Sequence, residues 1–396
     1  MKSTWTVKSL GEISSVGSGN SAPQDPAAFQ KGVYPFFRTS DVGKIKNGHI
    51  SSSADYLNKS GAGKLTKFNA SSILFPKCGA SVYLNHRVMM DVDGFVSSHL
   101  AVITPNKSVV VPTFLLYYLY SVDSADLIQN NDYPTLKIPQ ISNIRVPVPP
   151  ISEQRRIVGI LDAAFEKIDA VQRNAERNLA KAKELFQRVL DEEMTPKKGW
   201  ENSALTEVCS HIVDCPHSTP KKVSFPTEYP CIRTSELKNG HIAWETMQYL
   251  NEEEYQKRIK RLAPAAGDIV YGREGTFGDA VCLPNSHKFS LGQRTMLFRP
   301  DRGKIDSLYL LYFIISNHVY SQIQNNGCGV GHVNVKDIKK FRIFYPASTD
   351  VQKKIADKIE FTYQKIQEQT NLFLTVLSES NELKQQILAK AFNGEL

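Results

Sequence analysis

The chain has 396 residues, of which 41% are hydrophobic and 22% charged, with six cysteines and a formal net charge of +8. Length alone suggests two to three domains, and the composition is that of ordinary globular material, which excludes a disordered chain and a disulfide scaffold. Its longest apolar runs, 114–120 and 309–315, fall far short of the roughly 20 residues of a membrane span; the first fifteen residues lack a signal-peptide core, so the cytoplasm is the expected compartment.

In chain order, the first landmark is Trp5-x4-Leu10-x-Glu12-Ile13, and it returns as Trp200-x4-Leu205-x-Glu207-Val208. Arg38-Thr39-Ser40-Asp41 returns as Arg233-Thr234-Ser235-Glu236, and Asn47-Gly48-His49-Ile50 as Asn239-Gly240-His241-Ile242. Phe114-Leu115-Leu116-Tyr117-Tyr118-Leu119 matches Tyr309-Leu310-Leu311-Tyr312-Phe313-Ile314, and Ile128-Gln129-Asn130-Asn131 matches Ile323-Gln324-Asn325-Asn326. Later matches pair Gln154 with Gln352, Ile157 with Ile355 and Ile168 with Ile366. Matches in constant order mark an internal repeat, so the chain is two copies of one unit of about 195 residues.

Each copy opens with a mixed part, residues 1–150 and 195–348. Short β-rich runs such as 72–75, 101–103 and 268–271 are broken by Gly, Pro, Asn and Ser. One short helix is expected after Pro112 and another from Ser307. The remainder of each copy, 151–194 and 349–396, reads as a long helix. In the first, Ser152 is the expected cap, and Ile157, Ile160, Leu161, Ala164, Ile168, Val171, Ala175, Leu179, Ala182, Leu185 and Val189 recur at helical spacing. In the second, Ile355, Ile359, Ile366, Phe373, Val376, Leu377, Leu383 and Ile387 do the same. Such stripes require partners.

Charge separates the parts. Residues 1–150 carry 14 basic and 9 acidic side chains, and residues 195–348 carry 20 and 15, so each mixed part has an excess of +5. The helical parts are each −1. Two equally basic modules suit a bipartite polyanion reader, although such an excess also occurs in ordinary soluble domains.

The repeated Arg38, Thr39, Ser40 and Arg233, Thr234, Ser235 suit contact with phosphate or guanine; a structural salt bridge and turn is the alternative. Lys44, Lys46 and Lys238 flank them as phosphate-contact candidates. Lys77, Arg87, Arg273 and Arg294 join these from polar, Gly-containing stretches, and His332 and Asn334 could reach base edges. Cys209, His211, Cys215 and His217 do not have the C-x2-4-C spacing of structural zinc sites and have no counterpart in 14–22, so they read as loop thiols and imidazoles. Asp301 and Asp337-Ile338-Lys339 only faintly suggest a Mg²⁺ nuclease, because the first copy lacks the carboxylates. Neither Gly-rich stretch, 272–278 or 327–331, fits a nucleotide-binding fingerprint. No catalytic residue and no metal ligand is assigned.

The ordered, duplicated landmarks resemble the specificity (S) subunit of type I restriction-modification systems. The junction Val146-Pro147-Val148-Pro149-Pro150-Ile151-Ser152-Glu153-Gln154-Arg155-Arg156-Ile157 is similar to the family's proline-rich lead into its first long helix, as is the C-terminal Leu388-Ala389-Lys390-Ala391-Phe392-Asn393-Gly394-Glu395-Leu396. The second lead, 344–355, departs from it by keeping only one proline with the Gln-basic-basic-Ile core.

The resemblance implies an α+β, pseudo-twofold architecture: two target-recognition domains (1–150 and 195–348) joined by two long antiparallel helices (151–194 and 349–396) as a coiled-coil spacer. It implies a non-catalytic chain that reads a bipartite target in double-stranded DNA. Its expected partners are two methyltransferase (M) subunits carrying S-adenosylmethionine, with room for two restriction (R) subunits that use ATP and Mg²⁺. No cofactor is expected in this chain and no membrane partner. A specificity subunit of a fused methylase-nuclease system, or a self-contained nuclease, are the alternatives. The two copies differ sharply between landmarks, with Ser60-Gly61-Ala62-Gly63-Lys64 in the first and Glu252-Glu253-Glu254-Tyr255 in the second. Unlike half-sites, and hence an asymmetric target, are therefore expected.

Overall fold

A computed structural model describes residues 5–128, 134–274, 278–323 and 333–396. The chain divides into two units, 1–175 with 375–396, and 176–374. Each takes one of the mixed modules and a piece of both long helices. Most of the repeated Ile-Gln-Asn-Asn motif, and His332, lie outside the described residues.

In the first unit the central sheet has the order Ser14–Ser18, Leu100–Pro105, Ile73–Pro76, Arg87–Met90, Asn47–Ile50. Only the last pairing is parallel. Alternate residues of the central strand enter different cores, as a period of two requires. Ile73 and Phe75 pack with Phe114, Leu115, Ile157, Leu161, Leu388 and Phe392. Leu74 packs on the other face with Phe37, Val88, Val96 and Val102. The sheet is thus a middle layer between helices and a smaller three-stranded sheet of Asp55–Leu57, Tyr34–Phe37 and Phe95–Val96. A strand buried on both faces reads as a continuous apolar run, and Ile-Leu-Phe-Pro does.

The second unit repeats these layers. Its central sheet has the order Cys209–Asp214, Thr295–Pro300, Ile269–Gly272, Ala280–Cys282, all antiparallel. Ile269, Tyr271, Met296 and Phe298 face Tyr309, Phe313, Phe186 and Leu190, while Val270 and Leu297 face Ile232 and Leu291.

The first long helix runs Ile151–Met194 and the second Thr349–Asn393. The first begins one residue ahead of Ser152, so Ser152 does not cap it; the Pro150 carbonyl accepts from the N–H groups of Glu153 and Gln154 instead. The short helices are Pro112–Tyr120, with proline in its first turn, and Ser307–Ile315, whose cap Asp306 accepts from the N–H groups of Leu308 and Tyr309 at 3.0 Å each.

Within each unit the pieces of the two long helices lie side by side and antiparallel. In the first, Arg156 reaches the Leu396 carbonyl while Gln172 donates to Asn381 at 2.8 Å. In the second, Lys358 pairs with Glu193, and Phe186 meets Tyr363 edge to face at 5.2 Å. The stripe buried in these pairings is narrower than its sequence suggests. Leu161, Ile168, Ala175 and Ala182 are buried at a seven-residue repeat, whereas Ile160, Val171 and Leu383 are exposed on its shoulders.

A buried amide joins each module to its helix. Gln154 is fully buried: its Oε1 accepts from the Val111 N–H at 2.7 Å, and its Nε2 donates to the carbonyls of Val109 (3.1 Å) and Pro149 (2.8 Å). Gln352, equally buried, binds the Asp306 N–H (2.7 Å) and the carbonyls of Lys304 (3.1 Å) and Pro346 (2.8 Å). A second repeated contact lies about two turns further along each long helix. Tyr117 donates to Asp162 in the first unit and Tyr312 to Glu360 in the second.

Gln154→Leu leaves buried backbone groups without partners, each costing about 1–3 kcal/mol. The variant is expected to lose about 3 kcal/mol or more of urea-unfolding free energy, by the same reasoning. Gln352→Leu should match it, and a loss below about 0.5 kcal/mol would contradict the role. His241 offers a pH test. Its ring stacks on Tyr363 at 3.8 Å, and burial pushes its pKa below the ordinary value more strongly than Glu360 raises it. The folded unit therefore holds a neutral ring that unfolding frees to take a proton. Its stability contribution is complete above about pH 6.5 and falls as the solution is acidified. Urea stability measured at pH 7.5 and pH 5 should drop less in His241→Phe than in the wild type.

Candidate nucleic-acid interface

Each Arg-Thr-Ser-acid motif starts a helical turn, and its acid is buried. The Arg38 N–H donates to Asp41 at 2.9 Å, and the other Asp41 oxygen accepts from the Ala54 N–H at 3.1 Å. The Arg233 N–H donates to Glu236 at 2.8 Å, and Ser235 Oγ and Thr246 Oγ1 donate to the same carboxylate. The turn explains why the fourth residue must be an acid: it supplies the acceptor that exposed helix-start N–H groups lack.

The two arginines are directed by this frame. Arg38 donates to Asp55 and lies over Phe36, 5.1 Å from the ring centre. Arg233 donates to Glu236 at 2.6 Å and to the Thr246 carbonyl at 2.9 Å. Both are half-buried, as are Thr39 and Thr234, while Ser40 and Ser235 are exposed. Salt bridge, turn and partly open guanidinium thus coexist at each motif. Lys44, Lys46 and Lys238 are exposed beside them. Lys46 closes the helix Thr39–Ile45 with a φ of +68°, and the Asn-Gly turn follows, with φ of +115° at Gly48 and +90° at Gly240. Residues in this region of φ are normally glycine, so the turn needs its glycine in both copies.

Arg87 lies elsewhere than its sequence context suggests. It is fully buried, its guanidinium 3.5 Å from the Phe75 ring centre, and it donates to the His86 carbonyl at 2.8 Å and to Ser124. Burial pulls its pKa down to about 9. It opens the strand Arg87–Met90, whose four residues are all buried, and so has no surface to offer a phosphate. Arg87→Met should change the free energy of urea unfolding, and an unchanged value would contradict this placement.

The remaining candidates fall at one end of each central sheet. The Arg273 N–H donates to the Arg294 carbonyl at 3.0 Å, and the Val333 N–H donates to the Arg273 carbonyl at 3.0 Å, so Asn334, exposed, follows directly. In the first unit the Lys77 N–H donates to the His99 carbonyl at 3.0 Å, and the Leu136 N–H to the Lys77 carbonyl at 2.8 Å. His99, exposed, was not among the candidates, yet it stands 195 residues before Arg294, the offset of the repeat itself. Asp214 and Glu274, which flank Arg273, were also missed; nothing in their local sequence marks them.

Among the described residues no group of three His, Cys, Asp or Glu side chains stands close enough to hold a metal ion. Cys209 and Cys215 are buried, with burial raising both thiols, while His211 and His217 are exposed. Among the described residues no helix is long and apolar enough to cross a membrane.

Comparison with known proteins gives a consistent picture. The family model described as the type I restriction modification DNA specificity domain matches residues 2–177 and 197–390. The MjaIX specificity subunit of Methanocaldococcus jannaschii, a type I restriction enzyme, is 30% identical over 174 residues, covering 41% of this chain and 38% of that protein. The EcoKI specificity subunit of Escherichia coli (strain K12) is 28% identical over 284 residues, covering 64% of this chain and 58% of that protein. The matches thus span from about two fifths to three fifths of these two relatives. The MjaVIII specificity subunit of M. jannaschii, 23% identical, is covered over 85% of its length. A solved chain from work on complex assembly and conformational transition of the type I R-M system superposes with a TM-score of 0.76 at 20% identity, covering 100% of this chain and 99% of that one. The HsdS subunit from Thermoanaerobacter tengcongensis gives 0.52 at 20% identity, covering 100% and 98%. These two likenesses concern the fold. With the family model matched in both copies across nearly the whole chain, the protein belongs to the type I restriction-modification DNA specificity family.

Proposed function

We propose that the chain is the DNA-reading subunit of a type I restriction-modification complex, each unit reading one half of a split target. The observation that carries this reading is the duplicated frame. Both units present an Arg-Thr-Ser turn and a basic cross-strand pair at matching positions, and the basic excess is the same in both modules. Phosphate contacts position such a protein and base-edge contacts give it sequence preference. Two linked readers add two modest discriminations, because the second binding event becomes intramolecular.

In this reading the chain performs no chemistry. Methyltransferase (M) subunits supply S-adenosylmethionine and the base flipping that modification inside a duplex needs. Restriction (R) subunits add ATP- and Mg²⁺-dependent steps. Paired clefts suit partners present twice. A 320 Å³ cleft lined by Asn47, Tyr120, Gln385 and Leu388 in the first unit has a 170 Å³ counterpart lined by Asn239, Ile315, Gln187 and Leu190 in the second.

The half-sites should differ. Where the first unit has the short turn Lys59–Ala62, the second has the helix Glu252–Arg258. That helix is anchored by Arg258, which donates to the carbonyls of Leu291 (2.9 Å), Ser218 (3.1 Å) and Pro216 (3.2 Å).

Selection from random-sequence duplexes by the chain assembled with its methyltransferase subunit tests this. Two short constant elements of unlike sequence, separated by a constant gap, are expected. A palindromic selected site would contradict the asymmetry, and no enrichment would contradict the function. Lys44→Gln should weaken binding uniformly and lower the salt slope by about 0.9, one phosphate contact, with the selected sequence unchanged.

A further inference from the structure

The same place in the two central sheets is held by different side chains. His99 and Arg294 lie at matching repeat positions. Each accepts, at its carbonyl, a 3.0 Å hydrogen bond from a basic residue on the neighbouring strand, Lys77 or Arg273. The strand end is fixed in both units, because Lys77 and Arg273 in turn accept from Leu136 and Val333.

Two features set Arg294 apart. Its φ is +66°, a left-handed conformation that costs a non-glycine residue free energy and persists only where the surroundings impose it. Its side chain is nevertheless 64% exposed, so burial does not repay that strain. What directs it is a chain of charges. Asp214 lies 3.3 Å from Arg273, which is nine-tenths buried. Glu274 lies 3.5 Å from Arg273 and 3.3 Å from Arg294. The Glu274 carboxylate contacts Nε of Arg294, and the largely exposed side chain keeps the guanidinium accessible to solvent. A guanidinium fork held in one orientation suits the O6 and N7 acceptors of guanine, and a single imidazole cannot make the same two-point contact. His99 makes no hydrogen bond from its ring to another described residue, and its unit lacks the acidic tether: the position of Glu274 is taken by Cys78.

We propose that Arg294 and His99 are specificity-determining residues at equivalent places in the two half-site readers, Arg294 reading a guanine edge, with Glu274 as its positioning residue. The inference rests on the DNA-reading role proposed above. Long-read methylation mapping of the full complex carrying wild-type chain, Arg294→Ala, Arg294→Gly, His99→Arg or Glu274→Gln tests it. The wild type must first give a split motif; its absence would remove the functional reading itself. Given that motif, Arg294→Ala should relax one guanine position in one half, losing about 10–100-fold in discrimination there, and leave the other half intact. His99→Arg should alter a position in the opposite half only. Glu274→Gln should weaken discrimination at the Arg294 position without abolishing it. Arg294→Gly should relax the same position while the melting temperature stays level or rises, because glycine relieves the left-handed strain. An unchanged motif in Arg294→Ala, changes in both halves from one substitution, or a lower melting temperature in Arg294→Gly would each overturn the proposal, the last by marking Arg294 as a structural residue.

Discussion

A buried amide must find partners for both its oxygen and its nitrogen, and this requirement fixes how each recognition module meets its long helix. Gln154 and Gln352 each bind three backbone groups, two in the loop ahead of the short aromatic helix and one in the lead to the long helix. Shifting the module along the helix would leave all of them unpaired in a dry interior, where each costs far more than an exposed bond returns. The tyrosine-carboxylate bonds, Tyr117 to Asp162 and Tyr312 to Glu360, sit above these amides and add a second point of registration. Two points fix rotation as well as height. A site that reads a base edge needs that precision, since its contacts act over a few tenths of an ångström.

The two copies keep this frame and differ where a ligand would meet it. The buried acids of the Arg-Thr-Ser turns are retained as Asp41 and Glu236, and the cross-strand bonds at the sheet ends are retained atom for atom. The residues presented there are not: Lys77 and His99 in one unit, Arg273 and Arg294 in the other. Backbone hydrogen bonds do not depend on side-chain identity, so such a position can change what it offers without disturbing the sheet. That separation of frame from presented side chain would let one architecture serve the two unlike half-sites proposed above.

Much of this was legible in the sequence. The repeat, both long helices and the starts of the short helices follow from spacing and punctuation, which are local. Pairing is not local, and the shortfalls trace to it. Arg87 reads as a surface base because His86 and Asn85 precede it, but its strand lies inside the sheet, with Phe75 across from the guanidinium. Ile160 and Val171 have helical spacing yet face outward, because the partner helix covers only the narrower seven-residue row. Ser152 has the chemistry of a cap, but the chain already turns at Pro150. His99 could have been found by carrying the 195-residue offset through Arg294, whereas Glu274 becomes meaningful only when both arginines stand beside it.

The most direct test of a duplicated reader is long-read methylation mapping of DNA from cells that express this chain with its methyltransferase subunit, against cells that express the methyltransferase alone. Two unlike short elements separated by a constant gap, methylated only when the chain is present, is the result expected from two differently tipped copies of one frame. A methylation pattern that does not depend on the chain, with the methyltransferase expressed and soluble, would contradict it.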